Sequence, residues 1–340
     1  MILIKRILSL RIHKHKVLFR CFCNSVNTLE NIQTSPIQWP KDYVTSPLET
    51  NVTDFSTISP ALRPTFNLAA YVNDSHSLQQ LVKLGVELYK FDNDPRIMET
   101  ILKLDFERDM KPYIRFIHDC GVPVEEIGKF LTKNPMIFTE HMDDLITRIN
   151  YLQHKKFDKE MISTIVRKYP MWLSQSTIDI DKSLGFFQTK FYLSGDNVRN
   201  MVTKLPKLIT WPKKSVNLIM FSLNEEMGFN RSERKRLLLI QPKIYIMSKH
   251  HLFERFNYIH NIMGINHDRI VLEPQVLTSR LFRIKQRHEY LKYLNRAQYD
   301  PTKPNYVSLF NLVKGTDLDF CLNIAKTNTE KFNNYLKTVC

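Results

Sequence analysis

The segment FLTKNPMIFT, residues 130–139, sets a pattern that returns four more times along the chain. The matching segments are IVRKYPMWLS (165–174), MVTKLPKLIT (201–210), LLLIQPKIYI (237–246) and RIVLEPQVLT (269–278). Their prolines are 35, 36, 36 and 32 residues apart. In all five segments the fourth residue before the proline is aliphatic, and the second and third residues after it are apolar. Self-similarity at a nearly fixed period predicts a repeat protein.

The repeated segments predict a pair of helices in every unit. Proline cannot continue a helix, so each of the five prolines ends one helix and begins a short apolar turn. A hydroxyl four residues after the proline suits the N-cap of the next helix. It is supplied by Thr139, Ser174, Thr210 and Thr278, with Ser248 as a substitute in the fourth unit. Two helices per unit predict an all-α fold, an α-solenoid whose hairpins stack to bury their apolar faces.

Four regions are expected along the chain. Residues 1–29 contain six basic residues and no acidic one, which is typical of a mitochondrial transit peptide; a basic helix lying on a membrane is the alternative. We expect the transit peptide and the start of a linker in 1–40 and a flexible linker rich in Pro, Ser and Thr in 41–77. The repeat array is expected in 78–305 and a C-terminal helical cap in 306–340.

The array itself is expected to be basic. The chain has a formal net charge of +15, of which +12 remains on residues 78–340 once the leader and the linker are set aside. Lys and Arg attract phosphate groups regardless of base sequence, so this excess favours a nucleic-acid partner. No stretch approaches the length of a membrane span.

Some of the basic residues recur at the same place in the unit and therefore project to one stripe of a solenoid. Two residues before a proline lie Lys133, Lys168 and Lys204. Thirteen residues after one lie Arg148, Arg255 and Arg287. The stripe predicts contacts with a phosphate strand, although the stems of the three arginines can equally pack against the apolar face.

Further candidate phosphate contacts lie in the C-terminal half of the array. They are Lys213 and Lys214, then Arg231, Arg234, Lys235, Arg236, Lys243 and Lys249, and finally Arg280, Arg283 and Arg296. Apolar residues at helical spacing accompany them, so helices are expected to present them. Trp211, beside the first pair, is a candidate exposed aromatic residue for base stacking.

The proline segments resemble the repeat junctions of the mitochondrial transcription termination factor (mTERF) family, above all FLTKNPMIF, IVRKYPMWL and MVTKLPKLI. LKLDFERD (102–109) and RHEYLKYLNRAQYDPTKPNYVSLFNL (287–312) are similar to one animal branch of that family. The resemblance covers residues 78–340. It implies two α-helices and a short 3-10 turn per repeat, in a protein of the mitochondrial matrix.

No enzyme is expected. The sequence has no P-loop, GxGxxG, HExxH or GxSxG motif, and its five cysteines fit no zinc pattern. Several histidines between residues 250 and 288 show no metal-ligand or triad spacing with the carboxylates near them. We therefore predict neither a cofactor nor a metal site.

The resemblance implies repression of mitochondrial DNA transcription, binding of ribosomal RNA and support for large ribosomal subunit assembly. Three hypotheses stay open on these grounds. The array tracks double-stranded mitochondrial DNA, or it holds mitochondrial ribosomal RNA during assembly with other large-subunit assembly factors, or it is a protein scaffold that recruits a partner enzyme to the mitochondrial ribosome. In each case a monomer is expected.

Overall fold

Each repeat proline ends one helix and opens a tight turn. In the computed structural model, which describes residues 67–339, Pro135, Pro170 and Pro242 each begin a five-residue 3-10 turn. Pro206 and Pro274 instead precede single turns of α-helix. The described residues contain no strand. The predicted all-α solenoid with a proline-initiated turn in each repeat is thereby confirmed.

Eighteen α-helices follow one another in the described chain. The first nine are α1 His76–Lys83, α2 Pro95–Lys103, α3 Lys111–Asp119, α4 Val124–Lys133, α5 Met142–His154, α6 Lys159–Lys168, α7 Thr177–Phe191, α8 Gly195–Lys204 and α9 Lys207–Thr210. The remaining nine are α10 Lys213–Phe221, α11 Arg231–Ile240, α12 Lys249–Asn257, α13 His267–Leu272, α14 Gln275–Thr278, α15 Leu281–Tyr293, α16 Leu309–Val313, α17 Asp317–Asp319 and α18 Thr329–Val339. Short π-helical turns extend α10 and α12 at their C-terminal ends, over Ser222–Glu226 and Tyr258–Ile262.

The helices of the array fall into two sets, which we name by their place relative to the proline. The B helices end just before a proline and are α4, α6, α8, α11 and α13. The A helices follow the turn and are α5, α7, α10, α12 and α15. Consecutive B helices contact one another from α6 to α13, whereas each A helix packs on the turn of the next unit. This alternation stacks the units.

The core is built from the repeated apolar positions of the sequence. All five prolines are buried, as is the aliphatic residue four positions before each of them. Both apolar residues of every turn are also buried, and Trp172 is the largest side chain among them. Each proline turn is therefore wedged between neighbouring units, which explains why its residue types recur.

The hydroxyl four residues after the proline does not cap a helix, so that prediction was wrong. The A helices begin two residues later, at N-caps whose side chains make no capping bond. The hydroxyl instead accepts a hydrogen bond from a side chain of the preceding unit. Asn134 Nδ2 lies 3.1 Å from Ser174 Oγ, and Gln241 Nε2 lies 2.8 Å from Thr278 Oγ1. The N-cap lies two residues later than expected, which moves the hydroxyl from the helix start to the contact between units.

A second repeated contact lies at the end of each A helix, where the chain turns through a left-handed residue. On the B helix of the following unit, the side chain seven residues before the proline bonds to a carbonyl of this turn. Ser163 Oγ lies 2.7 Å from Gly121 O, Arg199 Nη1 lies 3.2 Å from Lys155 O, and Lys235 Nζ lies 2.7 Å from Tyr192 O. These bonds join each B helix to the unit before it.

Basic side chains at the periodic positions also join neighbouring units. Lys168 Nζ donates to Thr203 O at 3.0 Å, and Lys204 Nζ donates to Leu239 O at 2.6 Å, so each lysine binds the carbonyl end of the next B helix. Negative partial charge gathers at a helix C-terminus, so a cation there is stabilising. Arg148 similarly donates to Leu173 O in the next turn.

Arg287 fixes the C-terminal cap to the last A helix. Its side chain is only 1% exposed. It donates to three carbonyls, Leu312 O at 3.0 Å, Lys314 O at 2.9 Å and Gly315 O at 3.3 Å, and to the Asp317 carboxylate at 2.7 Å. The prediction that Arg287 contacts phosphate is corrected, because all three nitrogens of its buried guanidinium already donate to protein oxygens.

The folded region begins earlier than expected. Residues 67–77, assigned above to the linker, include a 3-10 turn over Leu68–Tyr71 and the start of α1. Leu68 is fully buried, and its N–H donates to Asp92 Oδ1 at 3.0 Å, which ties this segment to the array. The predicted transit peptide and the rest of the linker, residues 1–66, lie outside the described residues. The cap region, 306–339, is helical and contributes Phe320 and Phe332 to the core.

Gly128→Ala is expected to lower the free energy of unfolding by about 1–3 kcal/mol, the usual cost of overpacking. A Cβ on Gly128 in α4 would overlap the Leu84 carbonyl oxygen and the backbone of Gly85, and backbone cannot rotate away. Urea unfolding followed by circular dichroism measures the loss. Gly185→Ala in α7 is the matched control: its Cβ meets nothing within 4 Å, so alanine should stabilise by about 0.5–1 kcal/mol. Equal effects of the two substitutions would contradict the close packing.

Arg287→Leu is expected to cost about 1–3 kcal/mol for each buried carbonyl that it leaves without a donor. The C-terminal cap should loosen first, with faster hydrogen exchange in 309–325 than elsewhere. Lys292→Ala, an exposed cation on the same helix, should change stability by less than about 0.5 kcal/mol. Unchanged exchange in the cap of the Arg287 variant would show that this arginine does not hold it.

Candidate nucleic-acid interface

The C-terminal halves of the B helices and the turns after them carry a line of exposed cations, which we call the basic stripe. Four consecutive units, those of the B helices α4, α6, α8 and α11, each contribute two residues to it from the helix or from the turn that follows. They are Lys129, Lys133, Arg167, Lys168, Lys204, Lys207, Arg236 and Lys243, all of them exposed. The stripe continues from unit to unit because α6, α8 and α11 contact one another in succession, and α4 packs on the turn that follows α6.

No acidic residue interrupts the stripe within these four units. The segments 129–136, 164–171, 200–207 and 236–243 contain none. Acids gather instead near the starts of the B helices, for example Glu125, Asp196 and Glu233, where the helix dipole favours negative charge. The fifth B helix ends the pattern, since Asp268 and Glu273 lie in the corresponding segment.

The stripe contains five of the predicted contacts and three residues that the prediction missed. Lys133, Lys168, Lys204, Arg236 and Lys243 were proposed from the sequence. Lys129, Arg167 and Lys207 were not, although Lys129 lies one helical turn before Lys133 and Lys207 follows a junction proline directly, as Lys243 does. Arg167 and Lys207 lie within one helical turn of a junction proline, and Lys129 lies within two, so a search over two turns would have found all three. Arg167 Nε also pairs with Glu126 Oε2 at 3.3 Å, so its charge is partly compensated.

A second group of predicted cations lies at the starts of the later A helices. Lys213 and Lys214 open α10 and are exposed; Arg280 precedes α15 and is exposed, with Arg283 half-buried one turn on. Lys249 opens α12 but is paired with Glu226. In the earlier A helices the same place holds acids, Asp143 and Asp144 in α5 and Asp179 in α7. This group is therefore basic only in the C-terminal half of the array.

The cluster at 231–236 divides between packing and surface. Arg231 is exposed and lies on the ring of Tyr192, its Cζ 3.4 Å from the ring centroid. Lys235 is committed to Tyr192 O, and Arg234 approaches Met220 O at 3.5 Å. Arg236 points to solvent and makes no hydrogen bond or ion pair within residues 67–339.

Three further predicted contacts are held by the fold. Arg148 is 13% exposed and pairs with Glu140 Oε2 at 2.7 Å, besides its bond to the next turn. Arg255 is half-buried with its Nη1 4.0 Å from Met247 Sδ, and burial lowers the pKa of its guanidinium. Arg296 donates to Ala325 O at 3.0 Å in the cap. For the arginines thirteen residues after proline, packing is the arrangement that the structure shows.

Trp211 is half-buried, which corrects its expected exposure. Lys207 Nζ lies 5.2 Å from its ring centroid. Together with Ile180, Ile209 and Lys213, Trp211 lines an open cavity of about 380 Å³ between α7 and the start of α10. The indole therefore supports the position of Lys207 more than it offers a free face to a base.

One group of side chains within 67–339 has metal-ligand spacing, although the sequence analysis found none. His250, His251 and Glu254 lie on α12 with their ligand atoms within 4.8 Å of one another. His250 Nε2 lies 3.5 Å from Glu254 Oε1 and His251 Nδ1 lies 3.3 Å from Glu254 Oε2. Imidazole–carboxylate contacts on an exposed helix face account for this proximity.

Neither described cysteine forms a disulfide: Cys120 is half-buried and Cys321 is buried. Burial raises the pKa of the Cys120 thiol to about 12, which keeps it protonated at neutral pH. Within residues 67–339, no helix has both the length and the apolar character to cross a bilayer.

Comparison with known proteins identifies the fold and its relatives. The mTERF family model matches residues 70–321. The chain is 45% identical over 275 residues to Transcription termination factor 3, mitochondrial, of Drosophila melanogaster, covering 81% of this chain and 78% of that protein. It is 41% identical over 281 residues to the protein of that name from Rattus norvegicus, covering 83% and 69% of the two chains. Similarity to Transcription termination factor 4, mitochondrial, of Mus musculus is lower, at 22% over 289 residues, covering 84% of this chain and 77% of that protein. With its proline-initiated repeats matched over most of its length, the chain belongs to the mTERF family.

Proposed function

We propose that this protein binds nucleic acid along the basic stripe and acts, without chemistry of its own, as a regulator of mitochondrial gene expression. The observation that supports the proposal is the stripe itself: eight exposed cations, with no acid in the four sequence segments that carry them. A polyanion is the partner that such a surface attracts, because each phosphate contact releases condensed counterions.

The dimensions of the stripe suit a nucleic-acid backbone. Packed helices lie roughly 8–10 Å apart, so four neighbouring B helices extend the stripe over about 24–30 Å. At 3.4 Å per base pair this is the rise of about seven to nine pairs. Two cations per unit thus provide enough positive charge to follow one strand along most of a helical turn.

The residue types favour phosphate contact over base reading. Six of the eight are lysines. A lysine ammonium is a compact point charge, whereas base recognition commonly uses the planar fork of arginine. Contacts of this kind set position and affinity with little sequence preference. Binding by the stripe should therefore be tight at low salt and weak at high salt.

The relatives' names support a mitochondrial role. Three similar proteins are called Transcription termination factor 3, mitochondrial, which supports a mitochondrial location for this chain. Within the organelle we propose the matrix, at the nucleoid or the ribosome. We propose two ligands for the stripe, double-stranded mitochondrial DNA in repressing transcription and mitochondrial ribosomal RNA during assembly of the large subunit. Both present the same phosphate chemistry.

A protein scaffold is the second candidate function, and exposed apolar side chains on the A helices favour it. Leu218 and Phe221 on α10, Phe253 on α12 and Phe282 on α15 are each at least 40% exposed. Apolar side chains in such number often mark a protein contact. In this role the array would recruit a partner enzyme to the mitochondrial ribosome, and nucleic acid would be dispensable for its localisation.

Replacing Lys129, Lys207, Arg236 and Lys243 together by Ala should weaken binding and flatten its salt dependence. None of these four side chains makes a hydrogen bond or ion pair within the described chain, so the fold should keep its helix content. Each lost phosphate contact should reduce the slope of log K against log salt by about 0.9 for a duplex and about 0.7 for a single strand. Titration against duplex DNA and an RNA hairpin between about 50 and 200 mM salt measures both effects.

A matched variant separates the stripe from total charge. Lys83, Lys159, Lys331 and Lys337 are exposed lysines outside the stripe, and replacing all four by Ala removes the same charge. This control should keep most of the wild-type affinity and slope. Equal losses in the two variants would reject the stripe as the contact surface. A wild-type protein with a flat salt response would favour the scaffold, and crosslinking in mitochondria followed by sequencing would identify the bound nucleic acid.

A further inference from the structure

Every A helix is followed by a residue in the left-handed conformation, and one of these residues is a tyrosine. Fourteen residues before successive prolines lie Gly121 (φ 89°), Lys156 (φ 64°), Tyr192 (φ 51°) and Gly228 (φ 74°). The fold thus requires a positive φ at this place whatever the residue. Glycine adopts it without steric cost, whereas a residue with a Cβ is strained there. Tyr192 is the one aromatic residue with positive φ in the described chain.

The backbone of Tyr192 is fixed on both sides. Its neighbours Phe191 and Leu193 are each 5% exposed, and Phe191 packs against Tyr245 with ring centroids 5.2 Å apart. Lys235 Nζ holds the carbonyl of Tyr192 at 2.7 Å. A strained conformation persists where its surroundings determine it so fully. The tyrosine side chain contributes little to that arrangement, because it points away from the core.

The ring of Tyr192 forms a layer with Arg231 at the protein surface. The tyrosine is 65% exposed, although one face of its ring is covered by the guanidinium of Arg231, 3.4 Å from the centroid. The other face is therefore open to solvent. A cation on an aromatic face holds the ring in place and polarises it. The result is a flat aromatic surface of fixed orientation.

The surroundings of this surface favour an anionic ligand. Lys190 is exposed two residues before the tyrosine, and Arg231 is itself exposed. The acids nearby are already engaged: Asp196 pairs with Arg199, and Glu233 accepts the Asn230 N–H at 2.7 Å in a capping box. Positive charge beside an exposed aromatic ring is the combination that binds unpaired nucleotides, with the base on the ring and the phosphate on the cation.

We infer that the open face of Tyr192, backed by Arg231, is a stacking site for one unpaired nucleobase. This inference rests on the proposed nucleic-acid binding and adds the form of the ligand: a bulge, loop or single-stranded end that reaches the starts of α8 and α11, about one B-helix length from the stripe. Bases in a continuous duplex are stacked on one another and reach the ring only after the cost of flipping them out, whereas structured RNA already presents splayed bases. The site therefore favours RNA with unpaired residues over fully paired DNA.

Tyr192→Gly tests the site without straining the fold, because glycine is the residue that other units use at this position. Binding of the full chain is measured by fluorescence anisotropy with an RNA hairpin containing one bulged 2-aminopurine and with the same hairpin fully paired. Tyr192→Gly should weaken binding of the bulged hairpin about tenfold, the effect of one stacked base. Its affinity for the paired hairpin should be unchanged. Tyr192→Phe, which keeps the ring, should behave as the wild type on both.

The fluorescence of 2-aminopurine reports the stack directly. Wild-type protein and Tyr192→Phe should quench the bulged base on binding, and Tyr192→Gly should not. Arg231→Lys keeps the positive charge but removes the planar guanidinium that lies on the Tyr192 ring. It should therefore reduce quenching more than it reduces affinity. Equal binding and equal quenching by wild type and Tyr192→Gly would overturn the inference. If wild-type protein bound neither hairpin nor duplex DNA, the proposed function itself would fail, and the stacking site would fail with it.

Discussion

A single hairpin of two short helices cannot bury its apolar face, and the rest of this structure follows from that limit. The solution is a buried proline turn at the same place in each unit, with its two apolar residues inserted between neighbouring hairpins. The turn ends the B helix, sets the direction of the A helix and supplies the surface on which the A helix of the preceding unit packs. Because each unit depends on the next, stability is shared along the array rather than concentrated in one core.

Polar contacts between units repeat with the same period as the apolar ones. The residue seven positions before the proline differs in every unit, yet Ser163, Arg199 and Lys235 all bond to the turn of the preceding unit. Gly128 occupies the same position and lets the backbones touch instead. A position can thus be conserved in role while varying in residue type. Its role is to satisfy a carbonyl at the end of an A helix, which would otherwise lack a donor.

The sequence was sufficient for the fold because its period lies in the apolar residues. Because proline cannot continue a helix, a proline at regular spacing with apolar residues on either side ends one helix and is followed by the start of another. The sites were harder to predict, because the sequence does not show whether a basic side chain faces solvent or binds a neighbouring carbonyl. Arg287 and Arg236 cannot be told apart by composition, yet one is enclosed by three carbonyls and a carboxylate and the other is exposed. Which of them is buried depends on the turn of the next unit, and that contact is not local in sequence.

The lysines two residues before proline combine two tasks that usually oppose each other. Lys168 and Lys204 neutralise helix C-termini and link units, and they also keep their charge in the exposed stripe. The stripe brings like charges within roughly one Debye length of one another at physiological salt, so they repel in the free protein. A bound phosphate strand would remove that repulsion. By thermodynamic linkage, a polyanion that binds only the folded array stabilises it, and the stabilisation weakens as salt rises. Recognition and stability would then draw on the same charges, which is a reason for the stripe to lie on the helix ends that the fold already needs to neutralise.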